Sequence, residues 1–214
     1  AAIGFALFIN EIAHAKFKSV VQTVTYMPHF ISWVVFGSII ITLLSGDGGL
    51  FNQILLKLGV IKTPIVFMAQ PKYFWAIAIL SNLVKELGWS TILYTAAISG
   101  VDQELYEAAD LDGASRIQKM RYVTLPCIKG TIVIMVIFAV AGIMNNNFDQ
   151  IFVLQNPFNI ERSEVIDTYI YKVGMQQLQF GMAAAVNIFK SILAIILLGI
   201  ANFVSNKLTD NGLF

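Results

Sequence analysis

Apolar runs of helical character alternate with short polar breaks along this chain. Ala1 to Ile12 is apolar, but about 12 residues cannot cross a hydrocarbon core of roughly 30 Å. It therefore reads as the C-terminal half of a spanning helix, with Asn10-Glu11 and His14-Ala15-Lys16-Phe17-Lys18 as its polar exit. Val20 to Met27 leads to Pro28, a residue suited to a first helical turn. Ile31 to Leu44 is apolar until Gly46-Asp47-Gly48-Gly49 stops it, giving a second span. In Phe51 to Met68, Leu50, Ile54, Leu55 and Leu58 recur at helical spacing, but Lys57, Gly59, Lys62 and Pro64 interrupt. That pattern predicts an amphipathic interfacial helix, not a span. Pro71 opens a third span over Tyr73 to Ser99. A polar island follows, and Pro126 then opens a fourth span over Ile128 to Ala141, running into Asn145-Asn146-Asn147-Phe148-Asp149-Gln150. Gln155 to Gln179 is polar, with Asn156-Pro157 and Glu161-Arg162 marking loop. Gly181 to Phe203 is the fifth span, ending in Asn206-Lys207. The expected fold is all-α, a polytopic transmembrane helical bundle in one domain over residues 1–214.

Composition supports a membrane setting. Of 214 residues 57% are hydrophobic and 13% charged, whereas soluble domains carry about a quarter charged residues. A net charge of +1 gives no nucleic-acid footprint. Cys127 is the only cysteine, so neither an internal disulfide nor a cysteine-rich metal site can form. His14 and His29 lack ligand spacing, and no metal site is expected. The chain begins Ala1-Ala2-Ile3-Gly4 without Met or a basic n-region, which reads as a chain continuing N-terminally and not as a signal peptide.

Basic residues in short flanking loops set orientation. If the spans alternate, Lys16, Lys18, Arg116, Lys119, Arg121, Lys129 and Lys207 share one side, and Lys57, Lys62, Lys72, Arg162 and Lys172 the other. Seven against five places the polar island and the C-terminus in the cytosol, with the Gly46–Gly49 region and the Gln155–Gln179 loop outside.

The island covers residues 102–126. Asp102 is a candidate N-cap and Glu104 sits in the first turn, where a negative charge suits the helix dipole. Gln103 to Asp112 makes about three turns, with Leu105, Ala108 and Ala109 on one face. Gly113 suits the C′ position that needs a left-handed turn. Ala114 to Tyr122 is expected to form a second short helix with Ile117 and Met120 on one face, ended by Leu125-Pro126. Glu107, Arg116, Lys119 and Arg121 would point outward. Taken this far, a docking element and an ordinary solvated loop both fit the stretch. Asp110 and Asp112 face different sides of such a helix, so they do not form a catalytic carboxylate pair.

Polar groups inside spans are costly and are functional candidates by default. Asn82, Lys85, Glu86 and Trp89 recur at helical spacing in the third span. Lys85 and Glu86 are adjacent and point about 100° apart. Trp89 could stack on a flat apolar ligand face while Asn82 supplies hydrogen bonds. Asn145, Asn146, Asn147, Asp149 and Gln150 cluster where the fourth span ends, and amides suit a hydroxyl-rich ligand because each both donates and accepts. Asn187, Lys190 and Ser191 share a face of the fifth span, with Asn187 the most ligand-like. Lys190 could equally pair with a carboxylate of a partner subunit. Inter-helix contacts and helix capping are the competing readings for all of these residues.

Glu107-Ala108-Ala109, three residues, Gly113, nine residues, Val123, one residue, Leu125-Pro126 resembles the EAA signature of permease subunits in binding-protein-dependent ABC importers; Val123 stands where that family more often has isoleucine. Ala108-Ala109-Asp110-Leu111-Asp112-Gly113-Ala114 is similar to the carbohydrate-uptake branch, and Asn145-Asn146-Asn147-Phe148 with Phe152-Val153-Leu154 to maltose-type permeases. Asn10-Glu11, Tyr26-Met27-Pro28-His29-Phe30-Ile31-Ser32 and Asp167-Thr168-Tyr169-Ile170-Tyr171 resemble oligosaccharide and polysaccharide permeases of Gram-positive bacteria.

The resemblance implies a type I importer permease fold with about five spans of a six-span core in this chain. It implies a multi-pass protein of the bacterial cytoplasmic membrane that translocates a sugar or oligosaccharide and is not itself an enzyme. The implied partners are a second, non-identical permease, two cytosolic ATPases holding ATP and Mg2+, an extracellular solute-binding protein and the lipid bilayer. Glu107, Ala108, Ala109, Asp112, Gly113, Leu125 and Pro126 would form the coupling helix and its exit, with Glu107 pairing a basic residue of the ATPase groove. The chain carries no G-x-x-x-x-G-K-[ST] loop of its own. Two other classes stand beside this reading: an ion-gradient-driven secondary transporter, against which the absence of visible paired repeats argues, and a non-transporting structural membrane subunit.

Overall fold

A computed structural model describes residues 1–145 and 147–209, with side chains omitted at 205 and 207–209. The helices are α1 (Ala2–Asn10), α2 (Ala15–Tyr26), α3 (Trp33–Leu43), α4 (Leu50–Lys57), α5 (Phe74–Ser99), α6 (Gln103–Leu111), α7 (Arg116–Lys119), α8 (Leu125–Cys127), α9 (Lys129–Ala141), α10 (Phe148–Leu154), α11 (Ile160–Ser163), α12 (Ile166–Tyr171) and α13 (Phe180–Thr209). No strand occurs among the described residues.

The five apolar segments stand in the expected order, but only two are single helices long and apolar enough to span: Pro71–Ser99, of 29 residues, and Phe180–Val204, of 25 residues. At 1.5 Å per residue each exceeds the roughly 30 Å hydrocarbon core. The segments expected as the second and fourth spans are bent helix pairs among the described residues. Ala15–Phe30 and Trp33–Leu43 qualify only together, as do Arg116–Cys127 and Lys129–Met144, which bend by 69°. Local chemistry sets both breaks. Pro28 lies in a 3-10 turn over Met27–Phe30, and Ser32 restarts the helix by accepting the Val35 N–H on its hydroxyl at 3.3 Å. Ahead of Pro126 the chain widens into a π-helical turn over Met120–Thr124. Proline lacks an N–H and its ring crowds the carbonyl four residues back, so opening the turn to i→i+5 bonding relieves that contact. The second short helix expected over Ala114 to Tyr122 is therefore one α-turn, α7, followed by the π turn.

The helices gather into two compact units interleaved along the chain: Ala1–Met27, Glu86–Ile143 and Ala194–Phe214 in one, Pro28–Lys85 and Met144–Leu193 in the other. The first is built around Ala6, Tyr94, Ile98, Val101 and Ile128, with Tyr106, Val123 and Leu125 packed on them. Within it α2 and α5 meet at Gly88: a Cβ there would lie 2.1 Å from the Thr25 carbonyl oxygen, so only glycine permits this backbone approach. The second unit is built around Phe74, Ala78, Ile151 and Leu154.

The stretch read as interfacial contains α4, whose Leu50, Phe51, Ile54 and Leu58 are exposed. Its Asn52 is buried and binds the Ser45 and Ile65 carbonyls at 2.8 and 2.9 Å while accepting the Ile65 N–H at 2.8 Å. The Gln155–Gln179 stretch, read as loop, folds into α11, α12 and a π turn over Lys172–Gln176. Asn159 holds its start: its amide donates to the Met68 and Leu154 carbonyls, both at 3.1 Å, and its oxygen accepts the Asn156 N–H at 2.9 Å.

Candidate functional site

The polar island forms a capped double turn within the first unit. Asp102 starts α6 by accepting the Glu104 N–H at 3.0 Å. The helix closes with Ala114 N–H on the Ala109 carbonyl at 2.9 Å and Gly113 N–H on the Asp110 carbonyl at 3.0 Å. That pair of bonds is the Schellman arrangement, and Gly113 adopts the positive φ it needs, +73°. A second cap follows at once. The Gln118 side-chain oxygen accepts the Ser115 N–H at 2.7 Å and the Ser115 hydroxyl accepts the Gln118 N–H at 3.4 Å, a capping box. Ser115-Arg116-Ile117-Gln118 carries that signal in its residue types and spacing, beyond the Asp102 and Gly113 signals.

Two ties lock the short helices together. Lys119 Nζ donates to Asp110 Oδ1 at 2.7 Å, so Lys119 turns back onto α6 instead of pointing free. The Tyr106 hydroxyl meets the Thr124 Oγ1 at 2.9 Å. Thr124 is buried and directs its own proton to the Lys119 carbonyl. Arg116 Nε lies 3.8 Å from Glu11 Oε2 at the end of α1.

This frame presents an apolar tip. Leu111 is 90% exposed and Ile117 75%. Glu107, Ala108 and Asp112 are exposed beside them, and Ala109 is half-buried. Leu125 packs on the core and Pro126 is exposed. Ile117 and Met120, expected on one face, separate: Ile117 is exposed and Met120 half-buried, because the π turn begins at Met120.

The residues singled out for a substrate path lie elsewhere and do not form one cluster. In the second unit Lys85 is 3% exposed, and its ammonium donates to the Pro28 and His29 carbonyls at 3.2 and 2.6 Å, with the Trp33 ring centroid 5.4 Å away. Gln150, 4% exposed, donates to the Ala78 carbonyl at 2.6 Å and the Ser81 hydroxyl at 3.0 Å. Asn147, in a left-handed conformation at φ +45°, caps the start of α10 and reaches Asn82 Oδ1 and Gln150 Oε1, each at 3.4 Å. The amide cluster thus belongs to a helix start as much as to the end of α9. Asn145 and Asp149 are exposed, and Asn146 lies outside the described residues. Lys190 pairs within the chain, with Asp167 Oδ1 at 2.5 Å, both side chains largely buried. Asn187 is exposed. In the first unit Glu86 is half-buried and Trp89 exposed.

An aromatic group was not anticipated. Phe148, Phe152 and Tyr171 have ring centroids 5.1 to 5.4 Å apart. Phe148 and Tyr171 border a cavity of about 400 Å3 that Met175 and Phe180 also line. Their separation in sequence hid the grouping.

Residues 2–210 match the family described as binding-protein-dependent transport system inner membrane component. The chain belongs to this family. Among relatives of this inner membrane component, the polygalacturonan/rhamnogalacturonan transport system permease protein YteP of Bacillus subtilis (strain 168) is 41% identical over 209 residues, 98% of this chain and 64% of the relative. Protein LplB of the same organism is 37% identical over 98% of this chain and 65% of its own length. The chain therefore spans a little under two thirds of each. A bacterial ABC transporter involved in the import of the acidic polysaccharide alginate contains a chain with the same fold, at TM-score 0.93 and 38% identity, covering 97% of this chain and 72% of that one. A second structure of the alginate transporter, in complex with its alginate pentasaccharide-bound periplasmic protein, matches at TM-score 0.95 and 37% identity over 99% and 73% of the two chains. The inner membrane component thus has the ABC importer permease fold, with membrane-spanning helices in α5 and α13.

Proposed function

We propose that this chain is the permease subunit of an ATP-driven importer of oligosaccharides in the bacterial plasma membrane, and that residues 102–126 are where an ATPase subunit docks. The observation that carries this reading is the capped double turn with Leu111 and Ile117 exposed at its tip. Two exposed aliphatic side chains on a helix-turn-helix held by two caps, an ion pair and a buried hydroxyl pair form a stiff apolar plug. Glu107 beside it supplies a charge for a basic groove wall. Stiffness matters because a coupling element must transmit a displacement instead of absorbing it.

The energy source is ATP with Mg2+, bound in two cytosolic ATPase partners. A second, non-identical permease completes the pathway, and an extracellular solute-binding protein delivers substrate. Relatives named for polygalacturonan/rhamnogalacturonan and a neighbour named for alginate support carboxylate-bearing oligosaccharides as the first substrates to test. Asn82, Asn145, Asp149 and Asn187 are the candidates that line the path, whereas Lys85 and Gln150 are committed to backbone carbonyls.

The test is purification of the assembled transporter carrying Leu111→Asp or Ile117→Asp. The expected outcome is loss of the co-purifying ATPase and of ATP-dependent uptake, with the variant chain present in the membrane at normal level. Retention of both at wild-type levels overturns the docking assignment. Uptake by the unaltered transporter that collapses with a protonophore while ATP is held constant overturns the ATP-driven reading.

A further inference from the structure

The first unit contains a polar cleft outside the docking turn. It encloses about 220 Å3 between the end of α1, the start of α2 and the last two turns of α5, and is lined by Asn10, Lys18, Gln22, Ile92, Thr95, Ala96 and Ser99. Its chemistry is one-sided. Lys18 contributes an ammonium, Asn10 and Gln22 contribute amides, and no carboxylate lines it. Glu11, next in sequence to Asn10, is directed at Arg116 instead. Thr95 and Ser99 spend their hydroxyl protons on the Ile92 and Thr95 carbonyls. Among the described residues the side chains of Lys18, Asn10 and Gln22 have no hydrogen-bond or ion-pair partner. Lys18 and Gln22 are one helical turn apart and half-buried, so both present polar ends to the same cleft.

The position of the cleft narrows what can fill it. The apolar run of α5 ends at Ile98-Ser99, just where the cleft lies, and Asp102 follows. Ile92 and Ala96 of α5 line the cleft beside these polar groups, and Leu93 next to them is exposed, whereas Phe17, Val20 and Val24 lie on the opposite face of α2. A cation and two amides at the edge of an apolar helical surface suit a ligand with an anionic head and hydrocarbon tails. Basic pockets between spanning helices hold anionic lipid headgroups for this reason.

We propose that this cleft binds the phosphate headgroup of an anionic phospholipid, with Lys18 neutralising the phosphate, Asn10 and Gln22 donating to its oxygens, and the acyl chains running from Ile92 along the apolar surface of α5 beside Leu93. The site rests on the membrane setting alone and is independent of the ATPase-docking role. It tethers α2 to the end of α5, close to the Gly88 crossing.

The experiment uses the full chain in its assembled transporter, reconstituted in phosphatidylcholine nanodiscs with a minor fraction of fluorescent phosphatidylglycerol, with bound lipid counted after exchange. A lysine near a lipid surface is worth about 1 kcal/mol, so Lys18→Gln is expected to lower retained phosphatidylglycerol about fivefold. Lys18→Arg should retain it, and Gln22→Leu, which changes no charge, should lower it severalfold. Lys16→Gln, two residues away and outside the cleft, should leave it unchanged. Equal losses in the Lys16 and Lys18 variants show general surface attraction and overturn the proposal. Displacement of the lipid by millimolar inorganic phosphate as readily as by phosphatidylglycerol overturns the lipid assignment in favour of a free anion. Should Lys18→Gln fail to assemble, Asn10→Leu and Gln22→Leu carry the test, and wild-type retention in both overturns the proposal.

Discussion

Gly88→Ala probes the crossing on which the first unit depends. The added Cβ would sit 2.1 Å from the Thr25 carbonyl oxygen, 2.4 Å from its carbonyl carbon and 2.9 Å from the Tyr26 ring, whereas real Cβ atoms essentially never come within 3.0 Å of such neighbours. Two of the three contacts are backbone, so no rotamer change relieves them, and α2 must retreat by about 1 Å. Overpacking of this kind costs about 1–3 kcal/mol. The same substitution gains up to about 1 kcal/mol of helix propensity at an uncrowded site. Gly199 in α13 is such a site, with nothing within 4 Å of its built Cβ. Gly199→Ala should therefore be neutral or stabilising and Gly88→Ala destabilising, a gap of about 2 kcal/mol or more. Thermal unfolding of the two purified variants side by side measures that gap, with uptake as a second readout. Close packing through small residues is how spanning helices associate where lipid supplies no hydrophobic drive. Equal midpoints for the two variants refute the close α2–α5 crossing.

Lys85→Met keeps side-chain length but strips the charge from two carbonyls; a stability loss of about 1.5–3 kcal/mol is expected in unfolding measurements, with KM for the transported sugar unchanged. A KM rise at unchanged stability would return Lys85 to the substrate path. Removing Asp167 from the largely buried Lys190–Asp167 pair leaves the Lys190 charge stranded, at a cost of about 3 kcal/mol. Lys190→Met together with Asp167→Leu should recover most of it, as a double-mutant cycle would show. Gly113→Ala forces a Cβ into a left-handed turn at a cost of about 1–2 kcal/mol, and should weaken ATPase stimulation by the substrate-loaded binding protein more than it lowers chain abundance. Asp110→Ala removes an ion pair whose carboxylate is largely exposed, and should change stability by less than about 1 kcal/mol.

What could be read from the chain and what could not divides by the range of the interaction. Asp102 at the start of α6 and Gly113 at its end act on backbone groups one to five residues away, so their roles follow from residue type and spacing. The Ser115–Gln118 box is equally local, a signal contained in four residues. Lys85, Gln150 and Asn159 are different. Each was a polar side chain in or beside an apolar run, and residue type alone made it a ligand candidate or part of a loop. Their acceptors are backbone carbonyls 57, 72 and 91 residues away, and nothing near them in sequence names those partners. The physical reason is general for this solvent. Spans broken at Pro28–Ser32 and near Pro126 leave carbonyls without helical donors where lipid offers no water, and an unsatisfied carbonyl there costs several kcal/mol. A long polar side chain from another span is the cheapest remedy. A polar residue inside a span is therefore first a candidate for repairing a helix break elsewhere, and in this chain Pro28 and His29, which accept from Lys85, lie at one of them. The residues not used in that repair, half-buried Asn82, reached only at 3.4 Å, and exposed Asn145, Asp149 and Asn187, are the ones on which a search for substrate contacts should begin.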